Sequence, residues 1–289
     1  MKVAGFFGIL LLAASSPTAK VVGDPLDLCN FRLVWAEEFD ELSASAWALD
    51  GKRWMAHTPW RGDFGDARFA NPGPNGPFAV KHGELRITAS KDRKGRWHSG
   101  LLAAADASGA GAGVRYGYFE ARMRMPPGPG TWPAFWLISL KPTADKTPKV
   151  EVDVVEYYGH ADDKYQIAWH VWFEPPNEHM KRADGEMIDV PAGSLVDRFH
   201  NFGVQVDPEW MTYYLNRVPV ARAPTPPELK TPLYPLVNLA LGSGWPIDKT
   251  PNPSVLRVSH VRMYETDREG RASRCPDHRT MERVNGRKR

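Results

Sequence analysis

The sequence contains few cysteines and carries little net charge. Cysteine occurs only 2 times in 289 residues, and 37 lysines and arginines against 34 acidic residues give a formal charge of +3. Two cysteines are too few to form a structural zinc site on their own. So small a net charge does not attract the whole molecule to nucleic acid, and we expect no nucleic-acid partner.

Motifs of several common enzyme classes are also absent from the sequence. It has no H-E-x-x-H zinc motif, no G-x-x-x-x-G-K-[ST] phosphate-binding loop and no G-x-S-x-G nucleophile motif. These absences argue against a zinc peptidase, a nucleotide hydrolase and a serine hydrolase. We expect no catalytic metal and no required cofactor.

The N-terminus has the features of a secretory signal peptide. Lys2 precedes an apolar run over residues 6–14, and small residues follow at Ser15, Ser16 and Ala19. The run is too short to cross a bilayer as a helix. A buried strand or helix is the alternative interpretation. We expect removal of residues 1–22, secretion to the periplasm or the medium, and no membrane anchor in the mature protein.

Secretion changes the interpretation of the two cysteines, Cys29 and Cys275, which lie near opposite ends of the mature chain. In an oxidising compartment they can form a disulfide that joins the two ends. Two unpaired thiols are the alternative, because the sequence does not define the distance between them.

Short segments of alternating hydrophobicity recur along the mature chain. Leu85, Ile87 and Ala89, for example, alternate with polar residues, which is the period of a half-buried strand. The 25 glycines and 26 prolines favour turns over long helices. We therefore predict one all-β domain, an antiparallel sandwich or barrel, over residues 23–270, followed by a charged basic tail over 271–289. The predicted strands are 31–35, 84–89, 116–125, 134–140, 150–156, 167–173, 199–206, 211–215, 236–241 and 255–264.

The segment 149–156 places three acidic residues among valines, which favour β-strands. Because side chains alternate between the faces of a strand, Glu151 and Asp153 share one face, and Val152 and Val154 face the core. A strand can carry acids for solubility alone. However, like charges side by side cost free energy, so their concentration here indicates chemistry.

Glu156 follows Asp153 by three residues, so a regular strand would point its carboxyl group into the core. An unpaired carboxylate is very costly to bury. One extra residue at Val154 or Val155, forming a β-bulge, would return Glu156 to the face of Glu151 and Asp153. The sequence therefore predicts a bulge at this position.

With the bulge, the two glutamates are about 13 Å apart along the strand. Side chains that lean together can bring the carboxyl groups to the ~5–5.5 Å separation of a retaining glycosidase. Three interacting carboxyl groups titrate as a coupled set. Holding one of them protonated supplies a general acid.

The hexapeptide EVDVVE at 151–156 resembles the E-x-D-x-x-E signature of glycoside hydrolase family 16. Further segments are similar to this family in the same order and extend the resemblance over roughly residues 31–265. The resemblance implies a concanavalin-like β-jelly-roll sandwich of two antiparallel sheets with a concave substrate cleft. These segments are WAEEFD (35–40), GELRITA (83–89), YGYFEAR (116–122), GTWPAFW (130–136), FHNFG (199–203), VNLA (237–240) and WP (245–246).

The resemblance also assigns roles to the three acids. It implies that Glu151 is the nucleophile, Glu156 the general acid/base and Asp153 the assisting carboxylate between them. A cleft for sugar rings needs flat aromatic side chains as well as polar groups. Trp132 and Trp136 are four residues apart, so on a strand they would share a face, and they are candidates for the cleft wall, with core packing as the alternative.

Further substrate contacts are implied by the same resemblance. His170 is similar to the family's histidine near the acid/base, and Trp245 to an aromatic residue that lines the cleft. Asn75 stands one residue before the position of the asparagine in the family's Asn-Pro-Phe, here Gly-Pro-Phe, and is the candidate for that contact. Trp54 and Trp60, in early loops, are candidates for outer subsites.

The resulting hypothesis is a secreted endo-acting retaining β-glycosidase, which we expect to be a monomer. Its polysaccharide substrate is a β-1,3-glucan or β-1,3/1,4-glucan, an exopolysaccharide or a galactan. A transglycosylase with the same residues and a non-catalytic carbohydrate-binding sandwich are the alternatives. Some family members bind a structural calcium through an aspartate of the last strand. Ser259 takes that position here, which leaves a structural calcium open.

Overall fold

The computed structural model describes residues 23–266, which fold almost entirely into β-strands. The α-helix Ser194–Asp197 has only 4 residues, and the 3-10 helices Leu28–Asn30 and Glu178–Met180 are shorter still. The all-β prediction is confirmed. The strands are Phe31–Glu37 (β1), Ala44–Ser45 (β2), Trp54–Ala56 (β3), Arg68–Phe69 (β4), Phe78–Val80 (β5), Leu85–Lys91 (β6), Trp97–Ala103 (β7), Gly117–Arg124 (β8), Thr131–Ser139 (β9), Lys149–Glu156 (β10), Lys164–Trp172 (β11), Arg182–Asp189 (β12), His200–Val206 (β13), Trp210–Leu215 (β14), Val218–Pro224 (β15), Leu233–Leu241 (β16) and Ser254–Thr266 (β17).

Two largely antiparallel layers form the predicted jelly-roll sandwich. The back sheet has the order β5-β6-β17-β8-β13-β14-β15, and β1 pairs with the second half of β17. The cleft sheet has the order β2-β3-β7-β16-β9-β10-β11-β12. β6 also pairs with β7 and so joins the two layers at one edge.

Alternating side chains from the two sheets form the main core between them. Phe119, Ala121 and Met123 on β8 are fully buried, as are Val150 and Val152 on β10. Burying an aliphatic or aromatic side chain of this size stabilises the fold by about 1.5–3 kcal/mol. Because the valines of β10 occupy this core, the side chains between them point to the opposite face of the cleft sheet.

A buried ion pair lies on the outer face of the back sheet, away from this core. Arg217 donates to both carboxylate oxygens of Glu120, at 2.8 Å from Nε and 2.9 Å from Nη2. Tyr118 donates its hydroxyl to Glu120 at 3.0 Å, and His260 lies 3.3 Å from the same carboxyl group. A small apolar cluster that includes Leu28 packs nearby.

Three strands of more than five residues lie outside the predicted set, for physical reasons. β7 is buried on both faces, so its sequence shows no alternation. β12 is mostly exposed on both faces, with only Ile188 buried, so its sequence does not alternate regularly. β15 contains Pro219 and Pro224, and proline is uncommon within strands, so the segment gives no strand signal. A period-two search detects only strands with one buried face.

Some predictions lie outside the described residues. These are the signal peptide over 1–22, the tail over 271–289 and Cys275, so the pairing of Cys29 with Cys275 stays a prediction. Within residues 23–266, no helix is long and apolar enough to span a membrane.

Candidate active site

The predicted β-bulge is present in β10. Against β11, Asp153 pairs with Ala168 and Glu156 pairs with Gln166, so three steps along β10 match two along β11. The register against β9 also shifts between Asp153 and Val155. The extra residue lets both Val154 and Val155 be buried in the core and turns Glu156 back to the face of Glu151.

All three acids of β10 line one pocket of about 370 Å³ on the cleft sheet. Its volume falls in the range of small-molecule and oligosaccharide sites. Strands β9, β10, β11 and β16 form its floor, and loop residues from 60–64 form part of its wall. The lining residues are Trp60, Gly62, Phe64, Trp132, Ala134, Trp136, Glu151, Asp153, Glu156, Tyr158, Gln166, His170, Trp172, Asn238 and Ser243.

Glu156 accepts two hydrogen bonds on a single carboxylate oxygen. The indole Nε1 of Trp132 lies 2.9 Å from Oε1, and the Tyr158 hydroxyl lies 3.3 Å from the same atom. Both donors therefore fix the orientation of the carboxyl group. Because they share Oε1, the other oxygen, Oε2, is available to carry a proton.

Glu151 and Asp153 contact a different pair of rings, on β11. Trp172 donates its indole N–H to Glu151 Oε2 at 3.0 Å. His170 Nε2 lies 3.2 Å from Asp153 Oδ2, and the rings of His170 and Trp172 are stacked at 5.2 Å between centroids. Glu151 and His170 are also directly paired in the strand register, which places their side chains on one face.

Burial raises the pKa of each acid, and repulsion by a neighbouring acid adds to this for Glu151 and Asp153. For Glu151, burial and then the neighbouring Asp153 charge raise the pKa to about 8. For Asp153, burial and the Glu156 charge raise the pKa well above its usual value. Burial also raises the pKa of Glu156, although the hydrogen bond from Trp132 opposes this. A proton is therefore retained within the trio near neutral pH, as a general acid requires.

The predicted sharing of a face by Trp132 and Trp136 is confirmed, since both line the pocket. Trp136 donates its indole N–H to Asn238 on β16 at 2.8 Å. Phe64 packs against both tryptophans, with ring centroids at 5.3 and 6.1 Å. Trp60, predicted for an outer subsite, also lines the pocket and is 40% exposed.

Other sequence candidates lie elsewhere. Trp54 is only 1% exposed and donates to buried Glu37, so its prediction as a subsite residue was wrong. Trp245 is exposed and packs on His160 at 4.0 Å between centroids, outside the residues that line this pocket. Asn75 is exposed and is also not among the lining residues. Sugar contacts by Trp245 and Asn75 stay predictions.

Sequence reasoning missed six polar or aromatic lining residues, namely Phe64, Tyr158, Gln166, Trp172, Asn238 and Ser243. Trp172 carried a usable signal, because its spacing of two from His170 places both on the same face of β11. Tyr158 and Asn238 carried none, since their roles depend on contacts with Glu156 and Trp136 that span neighbouring elements.

One group of donor atoms has a spacing compatible with metal binding. Among residues 23–266, one donor atom from each of Glu151, Asp153 and His170 lies within 4.8 Å of the others. Trp172 already contacts this glutamate and His170 already contacts this aspartate. A structural calcium stays a prediction.

Paired carboxyl groups on a bulged strand, within an aromatic-lined pocket of a jelly-roll sandwich, define the glycoside hydrolase class. Residues 76–258 match the sequence model of glycosyl hydrolases family 16. The protein belongs to this family.

Individual relatives agree with the assignment. The endo-1,3-1,4-beta-glycanases EglC and ExsH of Rhizobium meliloti (strain 1021) are 32% and 33% identical to the chain over 203 and 202 residues. Each match covers 66% of this chain, which spans only 40% of the relative's length. The laminarinase catalytic domain from Thermotoga maritima MSB8 has the same fold, with a TM-score of 0.62 at 20% identity over 82% of this chain and 98% of that chain.

Proposed function

We propose that the protein is a secreted, endo-acting, retaining β-glycosidase that hydrolyses internal β-1,3 or β-1,3/1,4 linkages of a glucan. The observation that carries this proposal is the β10 bulge, which brings Glu156 into the pocket of Glu151. The names of the two Rhizobium relatives, both endo-1,3-1,4-beta-glycanases, support the choice of linkage.

In the first step, a carboxylate oxygen of Glu151 attacks the anomeric carbon and the glycosidic C–O bond breaks. Glu156 gives its proton to the departing oxygen, which leaves as a neutral hydroxyl group of the second product. A covalent glycosyl ester on Glu151 remains. Trp132 and Tyr158 both contact Oε1 of Glu156, which supports Oε2 as the proton donor.

In the second step, the Glu156 carboxylate takes a proton from water. The resulting oxygen nucleophile attacks the anomeric carbon from the side vacated by the leaving group, and the ester bond to Glu151 breaks. Two inversions retain the configuration of the sugar. Both glutamates return to their starting protonation states, and one water molecule is consumed.

Asp153 assists both steps by controlling local charge. It lies between the two glutamates in sequence and is 5% exposed. Its contact with His170 Nε2 provides a partner when the aspartate is ionised. Proton exchange within this coupled set lets Glu151 be ionised while another member stays neutral.

The charge of the pocket favours an uncharged polysaccharide. Its lining contains three carboxyl groups and no lysine or arginine. Lys149 lies on the same strand beyond Glu151, but Glu174 neutralises it at 2.6 Å. An anionic sugar bound here would meet like charge without a cation to offset it.

The shape of the cleft sheet favours internal cleavage. Ala183 and Gly185 on β12 pair with His170 and Ala168 on β11, so they share the same face of the sheet. Both are exposed and small, so at these two positions the floor continues beyond β10 and β11 without a bulky side chain. A polysaccharide that extends past the cleaved bond on this side fits such a floor.

The test is to incubate the full chain with β-1,3-glucan, mixed-linkage glucan, succinoglycan and a galactan. We expect reducing ends from one of the two glucans and, by proton NMR, a newly released sugar of retained β-configuration. Glu151→Gln and Glu156→Gln serve as controls that should still fold. We expect turnover to fall by several orders of magnitude in Glu151→Gln and by about 10²–10⁴-fold in Glu156→Gln.

Three results would contradict parts of the proposal. Near-normal turnover by Glu151→Gln would remove the nucleophile assignment. Products longer than the substrate would indicate a transglycosylase. Binding to glucan without any bond cleavage would indicate a carbohydrate-binding sandwich.

A further inference from the structure

Trp172, the last residue of β11, contacts both Glu151, the proposed nucleophile, and His170. Its indole Nε1 donates to Glu151 Oε2 at 3.0 Å. Its ring plane lies 13° from that of His170, which in turn contacts Asp153. Trp172 is nevertheless 39% exposed, so this is a cleft residue and not part of the core.

We propose that Trp172 positions Glu151 for attack and stabilises its ionised form, while the open side of its indole ring forms a sugar-binding surface. The inference rests on the proposed function and adds a positioning and binding role to it. Trp172 does not exchange a proton or form a bond with the substrate.

The positioning role follows from the flexibility of glutamate. A glutamate side chain has three rotatable bonds, and its conformational freedom opposes a fixed attack geometry. The N–H of Trp172 holds Oε2, so that Oε1 is left to attack the anomeric carbon. The parallel contact with His170 in turn restricts the indole ring, because the histidine is held against Asp153.

The electrostatic role follows from the groups that surround Glu151. Asp153 and Glu156 on the same strand oppose its ionisation, and buried Tyr234 on β16 provides no positive charge. His170 on β11 favours ionisation, and Lys149 is already paired with Glu174.

Among the described residues, Trp172 is the neutral donor that contacts Glu151 directly. A hydrogen bond to a charged carboxylate favours the charged form over the protonated one. Trp172 therefore opposes the burial and repulsion that raise the pKa of Glu151.

The binding role follows from exposure. His170 covers one face of the Trp172 ring, whereas the residue as a whole retains 39% of its accessible surface. Flat aromatic faces pack well on the C–H faces of sugar rings. A glucosyl unit stacked there would lie beside Glu151 and exclude water from its hydrogen bond.

Trp172→Phe separates the two roles, because phenylalanine keeps a flat ring and loses the N–H. We expect kcat to fall by about 10- to 100-fold, the factor that corresponds to one hydrogen bond to a charged group. KM should change by less than about threefold, because the ring face remains. The acid limb of the pH profile should move to higher pH, since Glu151 is then harder to ionise. Trp172→Leu removes the flat ring as well and should also raise KM.

Trp60→Phe is the matched control, since it makes the same chemical change at another exposed tryptophan of the same pocket. It is free to alter KM, but it should leave the acid limb in place. An unchanged acid limb and kcat in Trp172→Phe would overturn the proposal. Equal shifts in both variants would do so too, because they would indicate a general effect on the pocket.

Failure of the proposed function has a different signature, namely that the unaltered chain cleaves no glucan. Carboxyl ¹³C NMR titration of the unaltered chain and of Trp172→Phe then tests the electrostatic role without turnover. A higher pKa for Glu151 in the variant would support the inference, and an identical pKa would overturn it. Thermal unfolding of both proteins identifies a variant that simply does not fold.

Discussion

Trp132 on β9 and Glu156 on β10 are joined by a 2.9 Å hydrogen bond from the indole Nε1 to the carboxylate Oε1. Tyr158 reaches the same oxygen from two residues further along the chain. Two neutral donors on one oxygen favour the ionised form of the carboxyl group and so moderate the increase in its pKa that burial causes. The pKa of the proposed general acid is therefore adjustable through either donor.

Tyr158→Phe should shift the basic limb of the pH–activity profile to higher pH. Removing the hydroxyl removes a hydrogen bond that lowers the pKa of Glu156, so the glutamate should keep its proton at higher pH. We expect a shift below about one pH unit, because one moderate hydrogen bond is lost. The measurement is kcat/KM against pH on a soluble glucan.

Tyr157→Phe is the control for this experiment. Tyr157 is adjacent in sequence but lies in the core, and its hydroxyl has no hydrogen-bond partner among the described residues. The basic limb of the pH–activity profile of Tyr157→Phe should match that of the unaltered protein. A common shift in both variants would contradict a specific effect of Tyr158 on Glu156.

Glu151→Gln should stabilise the protein at alkaline pH while abolishing turnover. The folded state raises the pKa of Glu151 to about 8 from a usual value of 4.5. The stability linked to this group is thus complete below pH 4.5 and is lost as pH rises through 8. Glutamine does not titrate, so the variant should gain up to about 5 kcal/mol relative to the unaltered protein as pH rises between these values.

Urea unfolding at pH 4.5 and pH 8.5 measures this difference. Glu178→Gln, at an exposed position in a 3-10 helix, provides the comparison. Its stability relative to the unaltered protein should be nearly independent of pH. A Glu151→Gln variant that is equally destabilised at both pH values would argue against an energetic cost of burying the Glu151 carboxylate.

Glu120→Gln should destabilise the back sheet strongly. Burial alone would raise the pKa of Glu120, but hydrogen bonds from Arg217 and His260 outweigh it and lower the pKa to about 2. Breaking a buried ion pair by removing one charge costs about 3–5 kcal/mol. The free energy of unfolding at pH 7, from chemical denaturation, is the relevant measurement.

The same ion pair has a defined pH dependence. Because the pKa of Glu120 is lower in the folded state, its contribution is complete above about pH 4.5 and is lost as pH falls towards 2. Glu265→Gln, which breaks an exposed pair with Arg32, should change stability by less than about 1 kcal/mol. If Glu120→Gln and Glu265→Gln lowered the free energy of unfolding equally, burial would not explain the stabilising effect of the Glu120 ion pair.

A glucan oxidised to the carboxylate at C6 should be cleaved less efficiently than its neutral parent. The pocket contains three carboxyl groups and no lysine or arginine, so we expect about a tenfold or greater loss in kcat/KM at low salt. Added salt should reduce the difference in kcat/KM between the oxidised and the neutral glucan, because it screens the repulsion. Reducing-end assays on the two polymers measure the ratio.

Gln166→Lys places a cation in this lining, opposite Glu156 in the strand register. This substitution should raise kcat/KM on the oxidised glucan relative to kcat/KM on the neutral glucan. Gln205→Lys, on β13 of the back sheet, adds the same charge away from the pocket and should leave the ratio unchanged. An improvement by both variants would point to general attraction instead of a local contact.

Strand β10 was predictable in detail, because the pattern that specifies it is local. Val152 has the period of a strand facing a core, and Glu156 breaks that period at a position where burial without a partner would be too costly. A bulge is the local solution, and β10 contains it. Trp132 and Trp136 were predictable for the same reason, since both lie on one strand with even spacing.

Isolated aromatic residues were harder to place. Trp54 and Trp60 both look like loop residues in the sequence, yet Trp54 begins strand β3 and packs in the core against Phe39, whereas Trp60 lines the pocket. The difference depends on how each segment packs in the assembled sandwich, which composition and spacing do not specify.

The sequence by itself determined the all-β character, the clustering of three acids on one strand and the bulge between them, because these follow from side-chain alternation and the cost of burying charge. Only the tertiary structure decided that Trp132 from β9 contacts Glu156 and that Trp172 from β11 contacts Glu151. Those partners are 24 and 21 residues away along the chain. The register between neighbouring strands, set by packing of the whole sheet, brings them together.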